Sequence, residues 1–165
     1  MSIERFAINA SPLITLHRAQ LDWLLPRLFN HVLVPDAVWR EVVSQFHDDP
    51  VTRQLPTADW AIRQAVTMRA EVLAWNLGAG ETALLSLGMA EPDTKVILDD
   101  RSARRCARVL GISSMGTAGV LVMARRRGLI PSVEQALRQL QAAGAWISET
   151  LIQKLAAEDA RQPLL

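Results

Sequence analysis

Four times along the chain a short β-type apolar run is followed at once by a polar turn and then by a helical pattern, and this alternation constrains the fold most. Residues 5–8 lead into Asn9, Ala10, Ser11 and Pro12, which supply a turn, an N-cap candidate and a proline suited to the first helical position. Residues 31–34 lead into Pro35 and Asp36, residues 95–98 into Asp99 and Asp100, and residues 112–115 into the helix that begins near Thr117. Strands alternating with helices predict an α/β domain built on a parallel sheet. With right-handed crossovers, strand C-termini and helix N-termini gather on one edge of that sheet.

The intervening segments fit this frame. Leu13, Leu16, Leu21, Leu24, Leu25 and Leu28 recur at helical spacing, with Pro26 breaking or restarting the helix, so a helical pair is expected there. Residues 44–57 are polar and proline-punctuated and read as an exposed loop or a short helical excursion; residues 60–75 show mixed periodicity. Gly78, Ala79 and Gly80 break the chain, and Glu81 opens an apolar helix over 82–90. Further helices are predicted over 102–110, ended by Gly111, and over 117–127, stopped by Gly128. Ser132 with Gln135 forms a capping-box pattern for a helix to about Gly144, Ser148 begins a last one, and residues 161–165 are expected to fray. A length of 165 residues, 50% of them hydrophobic, suits one compact domain over 1–165.

Composition removes several function classes. The single cysteine, Cys106, allows no internal disulfide, offers no zinc spacing, and reads as buried helix packing. No signal peptide or membrane span is visible, so a cytoplasmic protein is expected. Eighteen basic against seventeen acidic side chains give a net charge of +1, so attraction to a polyanion must be local. Gly78-Ala-Gly80 completes neither a dinucleotide fingerprint nor a P-loop, His17, His31 and His47 lack metal spacing, and no serine-hydrolase elbow is present. The five tryptophans sit mainly among apolar residues, so no base-stacking platform is evident.

The polar residues at element ends carry the chemistry. Asn9 follows the first strand, Glu41 lies in the helix after the second, Glu81 opens a helix, and Asp99 and Asp100 follow a later strand. A helix cap needs only one carboxylate, so the second aspartate asks for another explanation. A cluster of hard oxygen donors suits Mg²⁺ or Mn²⁺, whose bound waters can attack a phosphorus centre.

At these residues the chain resembles a known family. Asn9-Ala-Ser-Pro-Leu-Ile14, Val34-Pro-Asp-Ala-Val-Trp-Arg-Glu41, Gly80-Glu81, Leu98-Asp-Asp-Arg-Ser-Ala-Arg104 and Gly116-Thr-Ala-Gly-Val-Leu121 occur in order over roughly residues 5–155. Together they resemble the PIN-domain superfamily, in its toxin-like branch opening on a D/N-x-S-P-L-I motif. The resemblance implies a three-layer α/β/α fold with a central parallel sheet of about four to five short strands. It also implies a Mg²⁺- or Mn²⁺-dependent ribonuclease, often the toxin of a toxin–antitoxin pair, with RNA as substrate, an antitoxin as partner, and a homodimer. The family's acids fall on Asn9, Glu41, Glu81 and the Asp99/Asp100 pair, with Asp100 preferred as the ligand. Asn9 departs from the usual aspartate: its amide keeps a carbonyl oxygen but supplies no charge, which lowers metal affinity. The alternative is a non-catalytic domain of this type that binds RNA or a partner protein.

Each of these residues also has a plainer reading. Glu81 in a first turn is stabilised by the helix dipole whatever its function, Glu41 would serve as a solvated residue beside an apolar stripe, and Asn9 would stabilise a turn. Thr117 would either orient a metal-bound water or cap its helix. Arg101, Arg104, Arg105 and Arg108 share one face at i, i+3, i+4 and i+7, either an ordinary solvated face or a phosphate-contacting ridge. Arg125, Arg126 and Arg127 end a helix, where its dipole favours cations anyway.

Overall fold

The computed structural model describes residues 4–45 and 48–162. Its elements run β1 (Arg5–Ile8), α1 (Ala10–Arg18), α2 (Leu24–Phe29), β2 (Val32–Pro35), α3 (Asp36–Gln45), α4 (Pro50–Gln54), a 3₁₀ turn (Leu55–Thr57), β3 (Ala61–Gln64), α5 (Ala70–Leu73), α6 (Ala79–Ala90), β4 (Thr94–Ile97), α7 (Arg101–Val109), β5 (Ser114–Met115), α8 (Thr117–Arg126), α9 (Val133–Ala142) and α10 (Glu149–Arg161). The strands form one five-stranded parallel sheet in the order β3-β2-β1-β4-β5. Helices cover both faces, giving the expected three-layer α/β/α architecture.

Alternation along the strands divides the core. Phe6 and Ile8 of β1 and Ile97 of β4 join a cluster with α1, α2, α3, α8 and α9, whereas Ala7, Val96 and Leu98 face Leu84, Leu85, Ala103, Cys106 and Ala107 of α6 and α7. A strand buried on both faces of a parallel sheet needs apolar side chains at every position, and Val96, Ile97 and Leu98 meet that demand. Cys106 is fully buried here, and burial pushes its thiol up from the ordinary value. His17 is buried as well, its Nδ1 2.8 Å from the Leu13 carbonyl. His47 lies outside the described residues, as do 163–165 of the terminal stretch expected to fray; Arg161 still belongs to α10.

Several expectations shift. Of the two readings open for the segment before Trp60 the helical excursion holds: residues 50–57 are helical, and Val51 and Leu55, four apart, are both fully buried. The mixed segment after Trp60 contains the edge strand β3, half exposed along its length and therefore without the apolar signature of an inner strand. α1 starts at Ala10, so Asn9 rather than Ser11 occupies its N-cap position and Pro12 falls third in the helix. α6 starts at Ala79, two residues before Glu81. Ser132 and Ser148 cap α9 and α10 through the Gln135 and Leu151 amides. Among the described residues no helix is long and apolar enough to cross a membrane.

The chain winds outward from β1 to β2 and β3, then returns to the other side of β1 for β4 and β5. This reversal places a topological switch point between β1 and β4, where ligands bind in open α/β sheets. Asn9 and Asp99 follow the two strands flanking it.

Candidate functional site

Asn9 extends β1 by one hydrogen bond, donating its backbone N–H to the Ile97 carbonyl at 3.0 Å. An asparagine at an N-cap normally turns its side chain back to the free amides of the first helical turn. Asn9 does not: it makes no side-chain cap bond, and the reading of this residue as a turn stabiliser fails. The side chain is instead buried at the switch point, where Nδ2 donates to Glu81 Oε1 at 3.4 Å and Oδ1 has no hydrogen-bond partner.

Two glycines make room for this arrangement. A Cβ on Gly80 would lie 2.8 Å from Glu41 Oε2 and 3.3 Å from Asn9 Oδ1, and one on Gly78 would lie 2.5 Å from Glu81 Oε2. The glycine pair that failed as a nucleotide loop thus clears space for carboxylates. Glu41, on α3, holds its proton above the ordinary carboxyl range, first because it is partly buried and second because Glu81 carries like charge beside it. Asn9, Glu41 and Glu81 are therefore brought together from three separate elements.

The aspartate pair is divided between two helices. Asp100 caps α7, its Oδ1 accepting from the Ala103 amide at 2.8 Å. Asp99 reaches across to α8, where Oδ1 accepts from the Thr117 amide at 2.8 Å and Oδ2 from the Thr117 hydroxyl at 2.5 Å. The N-cap position of α8 is Gly116, so Thr117 is held by a carboxylate rather than acting as a cap itself. Sequence reasoning preferred Asp100 as the ligand; it is Asp99 that lines a cleft with Glu41. That cleft has a volume of about 1140 Å³.

Arg101 and Arg104 also line the cleft, whereas Arg105 and Arg108 are exposed on α7 outside it. Arg104 comes close to Asp99: its Nη1 and Asp99 Oδ1 each lie 3.0 Å from where a Gly116 Cβ would stand. Neither Arg101 nor Arg104 has an ion-pair partner among the described residues. Trp146 is the cleft residue that sequence reasoning missed. Apolar neighbours made it look like core, but Gly144, with φ +101°, ends the preceding helix and puts it on a loop.

The donor set fits a hard divalent cation. Two carboxylates repelling one another beside a buried carbonyl oxygen without a partner form an environment that positive charge would relieve. Among the described residues no three acidic, histidine or cysteine side chains converge as a ready-made cage, in keeping with an amide at the position of one acid.

A profile of the DUF3368 family, described as a PIN domain, matches residues 5–160. No curated protein matches the chain.

Proposed function

The chain belongs to the PIN-domain family, and from that premise we propose that it is a Mg²⁺- or Mn²⁺-dependent endoribonuclease. The observation that carries this reading is the buried, unpartnered Asn9 Oδ1 facing Glu41 across Gly80, with Glu81 hydrogen-bonded to the same amide. Glu41, Glu81 and the Asn9 carbonyl would hold the cation, with Asp99 contributing from the cleft wall. When bound, the cation would lower the pKa of a coordinated water and offset charge on the leaving oxygen.

The chain's own residues supply the rest. Asn9 Nδ2 orients Glu81 by donating to its Oε1. Thr117 fixes Asp99 by donating to both of its oxygens, and each oxygen keeps a lone pair that can accept a proton from water. Arg101 and Arg104 bind the phosphodiester, drawing the polyanion to the cleft of a chain with almost no net charge.

Incubating RNA with Mn²⁺ and the parent protein, Glu41→Gln or Glu81→Gln tests the assignment. Cleavage falling at least 100-fold in both variants is expected, and equal cleavage by all three overturns it. Asn9 favours a second reading, since an uncharged first position weakens metal binding: a domain that binds RNA or a partner protein without cutting. RNA binding by the parent protein with no cleavage at any Mn²⁺ concentration would select that reading.

The same proposal makes the protein a cytoplasmic toxin, working as a homodimer and silenced by an antitoxin segment laid across the cleft. Loss of cleavage on co-expression with any short reading frame found directly upstream, and light scattering on the purified chain, test these partners.

A further inference from the structure

We propose that Trp146 is a base-stacking subsite in the cleft, taking one unpaired base of a single-stranded RNA whose backbone is held by Arg101 and Arg104. The inference rests on the ribonuclease reading and deepens it. Trp146 is 91% exposed, although tryptophan is on average a highly buried residue. The ring stands on the loop between α9 and α10 and borders the same continuous cleft as Glu41 and Asp99.

The loop is tied down on both sides of this tryptophan. The Ala145 amide donates to the Leu140 carbonyl at 3.0 Å, the Gln141 side chain donates to the Ile147 carbonyl at 2.9 Å, and Ser148 caps α10. The indole N–H has no partner among the described residues. A flat apolar face is thus displayed on a fixed backbone, which reduces the entropy lost when a ligand settles on it.

Charge selects the occupant. Arg101 and Arg104, without ion-pair partners among the described residues, call for negative charge in the same cleft that also offers the π-face of Trp146. An unpaired nucleotide strand supplies both, phosphates for the arginines and a base for the indole. Bases in an A-form duplex are stacked on one another and offer no free face, so the subsite favours single strands. A cleft of about 1140 Å³ exceeds the usual 300–1,000 Å³ of a small-molecule pocket and has room for more than one nucleotide.

The test is fluorescence anisotropy of a labelled single-stranded oligoribonucleotide with the full chain in Ca²⁺, comparing the parent protein with Trp146→Ala and Trp146→Phe. Affinity is expected to fall roughly 5- to 150-fold in Trp146→Ala and to recover largely in Trp146→Phe. A backbone oligomer of abasic residues should bind all three equally. In Mn²⁺, cleavage by Trp146→Ala should show a raised KM at nearly unchanged kcat. A parent protein that binds no RNA overturns the ribonuclease reading and this subsite with it. A parent protein that binds RNA as tightly as Trp146→Ala overturns the subsite alone, and so does a Trp146→Ala variant that changes oligomeric state while binding RNA equally.

Discussion

Asn9 donates its side-chain amide to Glu81 Oε1 across 3.4 Å while its own Oδ1 stays buried without a partner. The contact sets an amide rather than a second carboxylate against Glu81. Asn9→Asp reverses that. A third acid beside Glu41 and Glu81 should tighten Mn²⁺ binding about tenfold or more and destabilise the metal-free protein by about 1–3 kcal/mol. Calorimetric Mn²⁺ titration and melting curves in chelator check both halves; unchanged affinity would remove Asn9 from the metal.

Glu41 carries a pH signature. Its folded-state proton affinity lies above the ordinary carboxyl value of 4.5, so between 4.5 and the raised value the folded state binds more protons than the unfolded chain. The associated stability is complete below 4.5 and is lost as pH rises through the raised value. At neutral pH Glu41→Gln should therefore stabilise the metal-free protein, by on the order of 1 kcal/mol or less after solvent screening. Urea unfolding at pH 4 and pH 7 measures it, and the gain should vanish at the lower pH.

The two aspartates should separate in mutagenesis. Asp100→Asn keeps a capping side chain and is expected to leave stability within about 0.5 kcal/mol and cleavage nearly intact, whereas Asp100→Ala costs about 1 kcal/mol. Asp99→Asn should reduce cleavage at least 100-fold. Thermal melts and initial rates on the three variants distinguish them; lost cleavage in Asp100→Asn with intact Asp99→Asn would exchange their roles.

This pair shows where sequence reading stops. Periodicity and turn chemistry located β1, β2 and β4 because inner parallel strands are short, apolar and punctuated, and the junctions behind β1 and β4 exposed Asn9 and the Asp99/Asp100 pair, whereas Glu41 lies within α3 and Glu81 in the first turn of α6. The partner of Asp99, by contrast, is Thr117, eighteen residues away, and no local spacing states which helix a carboxylate will serve. β3 escaped for a related reason: an edge strand with Ile62 exposed lacks the pattern that burial imposes. Trp146 was hidden by apolar neighbours, although Gly144 just before it was the available sign of a loop.

Arg104 and Arg108 share a helix face but not an environment, since only Arg104 borders the cleft. Arg104→Ala should weaken RNA binding and lower the slope of log affinity against log salt by about one, while Arg108→Ala leaves both nearly unchanged. Anisotropy titrations at several salt concentrations provide the slopes. Equal effects from the two substitutions would make α7 a general basic ridge rather than a cleft contact.

Gly80→Ala isolates the metal from the fold. The added methyl would stand 2.8 Å from Glu41 Oε2 and 3.3 Å from Asn9 Oδ1, so the end of the Glu41 side chain must swing away. That movement is inexpensive for a flexible carboxylate, and alanine is favoured over glycine in a helix, by less than the roughly 1 kcal/mol of an interior position because Gly80 lies in the first turn of α6. Stability should therefore hold or rise while Mn²⁺ affinity and cleavage fall together, by about tenfold or more, because one ligand has been displaced from the other two. Melting temperature, Mn²⁺ titration and cleavage rate on the same preparation decide it: a variant with unchanged Mn²⁺ affinity would show that Glu41 and Asn9 do not hold the cation across Gly80.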